Sequence, residues 1–339
     1  MMSKQGNEIF FSSLSGYNFY KADGRVGMSA GHCSLIHCRS NENVILKSLK
    51  LNTFREPMWR YFLSNPPISE QFLWPEDIVS LKETSLEKYG NYGLIFDTAS
   101  LGEIEPLKSI VYEDNRHTLD YRDTNIKKIL LSLLNALVTL YDSGYVYNAY
   151  DINRIHFNPK TMEVYFPFST STALLKVGKE TFNFFYNDVS IDFLPPWVNV
   201  EKIDNLNIDS ADYSLAALLF RLMIGRLPYQ GSAQHGDVTG YLMKTVAEEQ
   251  DHGARHVQTI MQYRNVPVFI FDPNDSSNDP GVRSVDRAVI EKWESLPLDI
   301  KGAFQKTFSK ENLNCDYRGR KVVSLKEWDE MIRKLYKTI

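Results

Sequence analysis

From Thr124 onward, apolar residues fall at Ile126, Ile129, Leu130, Leu133, Leu134, Leu137 and Val138, spacings that gather them on one face of a long helix. Asp123 and Thr124 suit its N-terminus and Gly144 its far end. A second helix is expected in Ser210 to Gly231, with Asp212 at its start. Its segment Leu215 to Ile224 is apolar on almost every side except Arg221, the pattern of a helix in the middle of a helical layer.

The N-terminal part alternates differently. Tyr17 to Ala22, Cys33 to Cys38 and Asn43 to Leu49 are rich in aromatic and β-branched residues and read as strands, with a hairpin turn at Arg39-Ser40-Asn41-Glu42. Gly24 to His32 reads as a short loop of small residues. Such a loop lets backbone N–H groups approach a phosphate, and a plain hairpin connection satisfies the same pattern. Thr53 to Ser64 is expected as a helix with Pro57 near its start. The three prolines in Asn65 to Val79 forbid a continuous helix and imply an extended entry into a strand. Tyr92 to Asp97 reads as a buried strand ahead of a polar hinge at Thr98 to Ser100.

The remainder is helical apart from one interruption. Residues 232–283 read as an insertion holding a helix from Val238 to Gln250 and then an apolar, strand-like run, Val266 to Phe271, leading into the turn-rich Asp272 to Gly281. That turn has the composition of a calcium loop without the spaced ligands or closing Glu, and a solvated loop is the reading adopted. Three amphipathic helices anchored by Trp293, Phe304, Phe308, Trp328 and Leu335 complete the chain. The class is therefore α+β: a small antiparallel β-rich part over 1–98 and a larger helical part over 99–339.

With 339 residues the chain is long enough for two cores. A net charge of −4 with 24% charged residues gives no reason to expect nucleic acid or an anionic membrane as partner. Aromatics make up 13%, enough to fill cores and also to serve a protein interface. Cys33, Cys38 and Cys315 are an odd number without CxxC spacing, which fits a reducing, cytoplasmic setting better than a disulfide framework or a zinc site. The first residues lack the apolar core of a signal peptide, and nowhere do eighteen apolar residues run together, so no membrane span is expected.

Candidate chemistry concentrates in Gly144 to Ser169, GYVYNAYDINRIHFNPKTMEVYFPFS. Together with the glycine-containing loop, the VILK of Val44 to Lys47, the hinge, the long helix and the buried helix bearing Asp212, this stretch resembles the protein kinase fold over nearly the whole chain. NPPISEQFLWPEDIV, SLAALLF and PVFIFDPNDSSN look more narrowly like a group of bacterial Ser/Thr kinase-like proteins, often encoded beside PP2C-type phosphatases and von Willebrand A-domain proteins. The resemblance implies that Gly27, Gly31, Lys47, Asp97 and Thr98 face a nucleotide, and that Asp212 hydrogen-bonds the catalytic-loop backbone. An N-terminal helix-capping role for Asp212 predicts the same location.

At the catalytic positions the chain departs from that family. Aligned without gaps, Ala149 stands where the catalytic Asp would be, Arg154 where the magnesium Asn would be, and Pro167 or Phe168 where the metal-binding Asp would be. Alanine accepts no proton and Arg repels Mg²⁺. LPPWV puts Trp197 at the place of a Glu normally held by an Arg, and Ser169 to Thr172 offers hydroxyls to phosphate. The expectation is a pseudokinase: a regulatory or scaffolding module that engages another protein, with ATP or ADP either held weakly and without need of magnesium or not held. The rival is an active enzyme whose register is shifted by two residues, with Asp151 as the base and His156 at the Asn position. Even then no Asp occurs between Asp151 and Asp188 to supply the second metal ligand.

Overall fold

A computed structural model describes the backbone of residues 9–12, 19–29, 33–38, 44–49, 56–83, 87, 91–97, 102–112, 120–167, 172–175, 181–182, 190–199, 206–232, 267–314 and 321–338. Of the strands before residue 56 only the backbone is described. The chain divides into two compact units, one of residues 1–104 with 165–168 and one of 105–164 with 169–339.

The first unit is built on a six-stranded antiparallel sheet in the order β1-β2-β3-β4-β7-β6. These strands are β1 (Ile9–Ser12), β2 (Phe19–Ser29), β3 (Cys33–Cys38), β4 (Val44–Leu49), β6 (Asp77–Ser80) and β7 (Tyr92–Asp97). Two findings differ from the expectation. The run Ile9-Phe10-Phe11 adds an unanticipated edge strand, and β2 continues through Gly24 and Gly27 to Ser29 in place of a loop beginning at Gly24. Pairing with β3 satisfies that backbone, Gly27 lying opposite Leu35, while the register slips between Ala22 and Val26 around Gly24. Gly31 and the rest of the expected loop lie outside the described residues.

Helix α1 (Glu56–Ser64) follows, with Pro57 in its first turn as expected. It buries Trp59 and Phe62. The proline-bearing segment that follows is tied back to it: the Trp74 indole N–H donates to the Phe62 carbonyl at 2.7 Å, and the two rings lie 5.8 Å apart. Short β5 (Phe72–Leu73) pairs in parallel with the returning residues Phe166 and Pro167, the Phe72 and Phe166 rings stacking at 5.0 Å.

In the second unit, α2 (Leu107–Tyr112) was not anticipated, whereas α3 (Thr124–Asp142) is as the apolar spacing implies. Its Asp123 cap accepts the Asn125 N–H at 2.7 Å, and Gly144 just beyond the C-terminus takes a left-handed φ of 86°. Helix α4 (Ile208–Ile224) starts earlier than expected, capped by Asn207 in a box with Ser210, so Asp212 sits inside the helix and is not its cap. Sixteen of its residues are buried. At its centre, Phe220 contacts the rings of Phe269, Phe304 and Phe308 at 5.1 to 5.9 Å.

Helices α5 (Ser284–Ser295), α6 (Leu298–Phe308), short α7 (Lys310–Asn314) and α8 (Leu325–Thr338) complete the unit, four where three were expected. Phe269 and Ile270 are buried in a turn and not in the strand expected there: the Phe269 ring packs in the aromatic cluster, and the Ile270 N–H donates to the Pro228 carbonyl at 3.0 Å. The turn-rich segment is largely exposed, as expected, with a buried exception at Asn278. Asn278, 2% exposed, donates to the carbonyls of Tyr229 and Val268 at 2.9 and 2.8 Å, while Asp272 and Asp275 accept N–H groups of their own turns. The helix expected over 238–250 lies outside the described residues.

Candidate functional site: the loop after α3

Strand β9 (Tyr145–Val146) leaves Gly144 and pairs with β12 (Ala173–Leu175), Val146 opposite Ala173. The chain then runs through Tyr147, Asn148, Ala149 and Tyr150, all at most 4% exposed, before Asp151 and Arg154 emerge partly exposed. Ala149 is 1% exposed. A carboxylate at that position would be packed in the interior.

Three sets of contacts hold the loop. Backbone N–H groups of Leu107 and Lys108, at the start of α2, donate to the carbonyls of Ile155 and Ile152, each at 2.8 Å. Both isoleucines are buried, at 0% and 4% exposure. On the side of α4, Ala211 packs with Val146, and Tyr141 at the end of α3 completes that cluster. Tyr147 and Tyr150 meet edge to face at 5.4 Å. Burial raises the Tyr150 phenol well above its ordinary pKa, with the carboxylate of Asp212 and then Tyr147 adding to the effect. Tyr150, the residue before Asp151, thus feels the charge of Asp212.

Asp212 is itself anchored: its Oδ1 accepts the backbone N–H of Leu325, the first residue of α8, at 3.0 Å. This anchor was not legible in the sequence, since the two residues are 113 positions apart.

The polar residues of the loop face one another. Asp151 Oδ1 accepts from the Asn153 backbone N–H at 2.9 Å and from its side-chain amide at 2.8 Å, and Oδ2 stands 3.7 Å from Arg154 Nε. His156, at the start of β10 (His156–Phe157), has its pKa lowered by burial, against a backbone hydrogen bond with Arg154 that raises it. A divalent cation needs convergent oxygens and finds here a guanidinium and a desolvated imidazole. The described loop residues do not fit Mg²⁺. Among the described residues no three His, Cys, Asp or Glu side chains gather as a metal site would require.

Other candidate residues are placed separately. Lys47 lies in β4 opposite Leu35 and Leu94, and its side chain is outside the described residues, as are Thr98 and Phe168. Asp97 ends β7 exposed. Nearby, Glu76 has a raised pKa from burial and from the charges of Asp97 and Asp77. Pro167 pairs with Leu73. Thr172 is 2% exposed, so its hydroxyl is no solvated phosphate acceptor. Trp197 rests edge-on against Tyr213 at 5.1 Å, an apolar contact at the position where the resemblance implies a Glu–Arg pair.

An ion pair sequence reasoning missed lies elsewhere in this unit. Asp286, 1% exposed, accepts from Arg226 and, at 2.8 and 3.1 Å, from the backbone N–H and Nε of Arg283. Burial alone would raise its pKa, but the hydrogen bonds from Arg283 and Arg226 outweigh it and hold the carboxyl at about 2. Arg283 is a local partner three residues away, but Arg226 comes from a segment 60 residues earlier, which no short-range pattern announces.

No family model and no curated protein matches the chain. Among solved structures it is similar to the kinase PK-1 of the Cydia pomonella granulovirus, with 14% sequence identity and a TM-score of 0.49 over 91% of this chain and 92% of that chain. The succession of antiparallel sheet, α1, β7, long α3, loop and buried α4 is an α+β arrangement. In the described residues no helix is long and apolar enough to cross a membrane.

Proposed function

We propose that this chain is a kinase-like regulatory module with impaired phosphoryl transfer, which acts by engaging another protein and retains at most weak nucleotide binding. The observation that carries this reading is the arrangement at Asp151. The one carboxylate of the loop is occupied by Asn153 and faced by Arg154. Phosphoryl transfer depends almost wholly on positioning and charge neutralisation, so a guanidinium on the metal side opposes it. A reducing, cytoplasmic setting, which rests on the odd number of cysteines without CxxC spacing, and a bacterial signalling context, which rests on the sequence resemblance, belong to the same proposal.

A second reading, an active atypical kinase with Asp151 as base, is favoured by burial. Position 149 is 1% exposed, whereas Asp151 is partly exposed. The two readings separate in a thermal-stability measurement of the purified chain with ATP or ADP, with and without Mg²⁺, beside a Lys47→Ala control. A ligand at a hundredfold its dissociation constant adds about 2.7 kcal/mol. The first reading expects either no response or a magnesium-independent rise that the control abolishes. A rise that requires magnesium, accompanied by phosphate transfer lost in Asp151→Asn, establishes the second.

A further inference from the structure

A cleft of 550 Å³ lies in the second unit between the turn of residues 272–275 and the end of α6 with the start of α7. Phe269, 1% exposed and packed on Phe220 and Phe308, and Pro273 supply apolar surface to it. Asp272 and Asp275 line it from the turn, Lys306 and Lys310 from the helices. The two sides are tied together where the Gln305 amide donates to the Phe271 carbonyl at 3.4 Å. No residue of the loop after α3 takes part.

The turn holds its carboxylates in place. Asp272 Oδ1 accepts the Asn274 N–H at 2.9 Å, and Asp275 Oδ1 accepts the Ser277 N–H at 3.1 Å. Hydrogen bonds from Ser277 lower the Asp275 pKa, with the charge of Lys310 adding to the effect.

The cleft differs from its surroundings in leaving its charges apart. On nearby faces of the same unit opposite charges meet: Lys301 with Glu294 at 3.5 Å, Lys334 with Asp299 at 3.0 Å, Arg333 with Asp329 at 2.8 Å. Among the described residues, Asp272, Asp275, Lys306 and Lys310 join no ion pair. Glu311 also lines the cleft but is already engaged. A ligand of one sign gains from one wall and loses to the other, whereas a ligand carrying both signs gains from both. The volume falls within the range of about 300–1,000 Å³ in which clefts hold a ligand, and the apolar surface suits an apolar group between the charges.

We propose that this cleft binds a peptide segment of another protein that carries one basic and one acidic side chain around an apolar one. The basic side chain meets Asp272 and Asp275, and the acidic one meets Lys306 and Lys310. In naming where a partner is held, this rests on the regulatory reading; the binding itself requires neither nucleotide nor phosphoryl transfer.

The test is selection of random heptapeptides displayed on phage against the full chain, without nucleotide and at low ionic strength. Recovered sequences should pair a Lys or Arg with an Asp or Glu in one fixed order. A synthetic peptide of that sequence should bind about fivefold more weakly to Asp275→Asn, which keeps the oxygen that accepts the Ser277 N–H, and to Lys310→Gln. With Lys306→Glu and Lys310→Glu combined, both walls are acidic, and selection should return basic peptides without the acidic residue. Unchanged urea midpoints show that these surface variants are folded. Recovery of no peptide, of peptides of one sign on the unaltered chain, or of binding indifferent to the variants overturns the proposal. Magnesium-dependent phosphoryl transfer by the chain would end the regulatory reading and leave the peptide result standing, so the two fail separately.

Discussion

Asp212 accepts the backbone N–H of Leu325 at 3.0 Å, joining the most buried helix of the second unit to the start of its last one. A carboxylate near the positive end of a helix gains from the unpaired N–H groups there, and burial strengthens that gain. Asp212→Ala leaves this N–H unsatisfied and should cost about 2 kcal/mol, read as a lower urea midpoint. Asp212→Asn, which keeps an oxygen acceptor, should lose less than half of that. Equal losses would show that charge matters more than the hydrogen bond.

Ala149→Asp is the substitution that would restore a catalytic Asp in the ungapped alignment. Because the position is 1% exposed, it should instead destabilise the protein by about 3 kcal/mol and bring no magnesium-dependent transfer, alone or with Phe168→Asp. Unfolding curves and a phosphate-transfer assay check both parts. A stable, active variant would mean that the loop opens more easily than its packing indicates.

Gly231 has no room for a side chain. A Cβ there would lie 1.8 Å from the Asn278 carbonyl oxygen and 2.4 Å from its Oδ1. Since Asn278 is itself fixed by two buried hydrogen bonds, Gly231→Ala must displace backbone and should cost about 2 kcal/mol or more in denaturant unfolding. Gly302→Ala, with nothing within 4 Å, is the matched control and should be neutral or slightly stabilising.

Asp286 makes stability fall in acid. Its pKa of about 2 in the folded state lies below the ordinary 3.8, so its contribution is present above about pH 4 and disappears as pH drops through 2. The size is on the order of 1–2 kcal/mol after allowing for the exposure of Arg283. Stability curves between pH 6 and 2 should be flatter for Asp286→Asn. Arg226→Met should be worse than Asp286→Asn at pH 7, because it strands a buried carboxylate.

Lys292 acts in the opposite direction. It is 9% exposed beside Gly225 at the C-terminus of α4, and burial lowers its pKa from 10.5 to about 8, with Asp120 opposing. The protonated form is the one disfavoured by folding, so the cost is complete below pH 8 and fades as pH rises towards 10.5. Lys292→Met should stabilise the protein at pH 7 by up to about 3 kcal/mol, and the gap should close by pH 10.5. A constant gap across that range would assign the effect to packing alone.

Much of the second unit was legible because its signals are local. The stripe from Ile126 to Val138, the Asp123 cap and Gly144 lie within a few residues of what they control, and the helix follows directly. The helix expected from Ser210 begins two residues earlier, at Ile208, because Asn207 and Ser210 form a capping pair there. Phe269 and Ile270 were read as strand because a short apolar run has no period of its own. Only contact with Phe220 shows it to be a buried turn.

By itself the sequence determined the α+β class, the succession of elements and the absence of any Asp between Asp151 and Asp188, all of which follow from residue type and spacing along the chain. Only the tertiary structure decided that Ala149 is interior while Asp151 reaches partway out, that Arg154 faces that carboxylate, and that Asp212 holds the first N–H of α8. Burial and pairing depend on neighbours brought from distant segments, 113 residues away for Asp212, and no periodicity in the chain encodes which of them will meet.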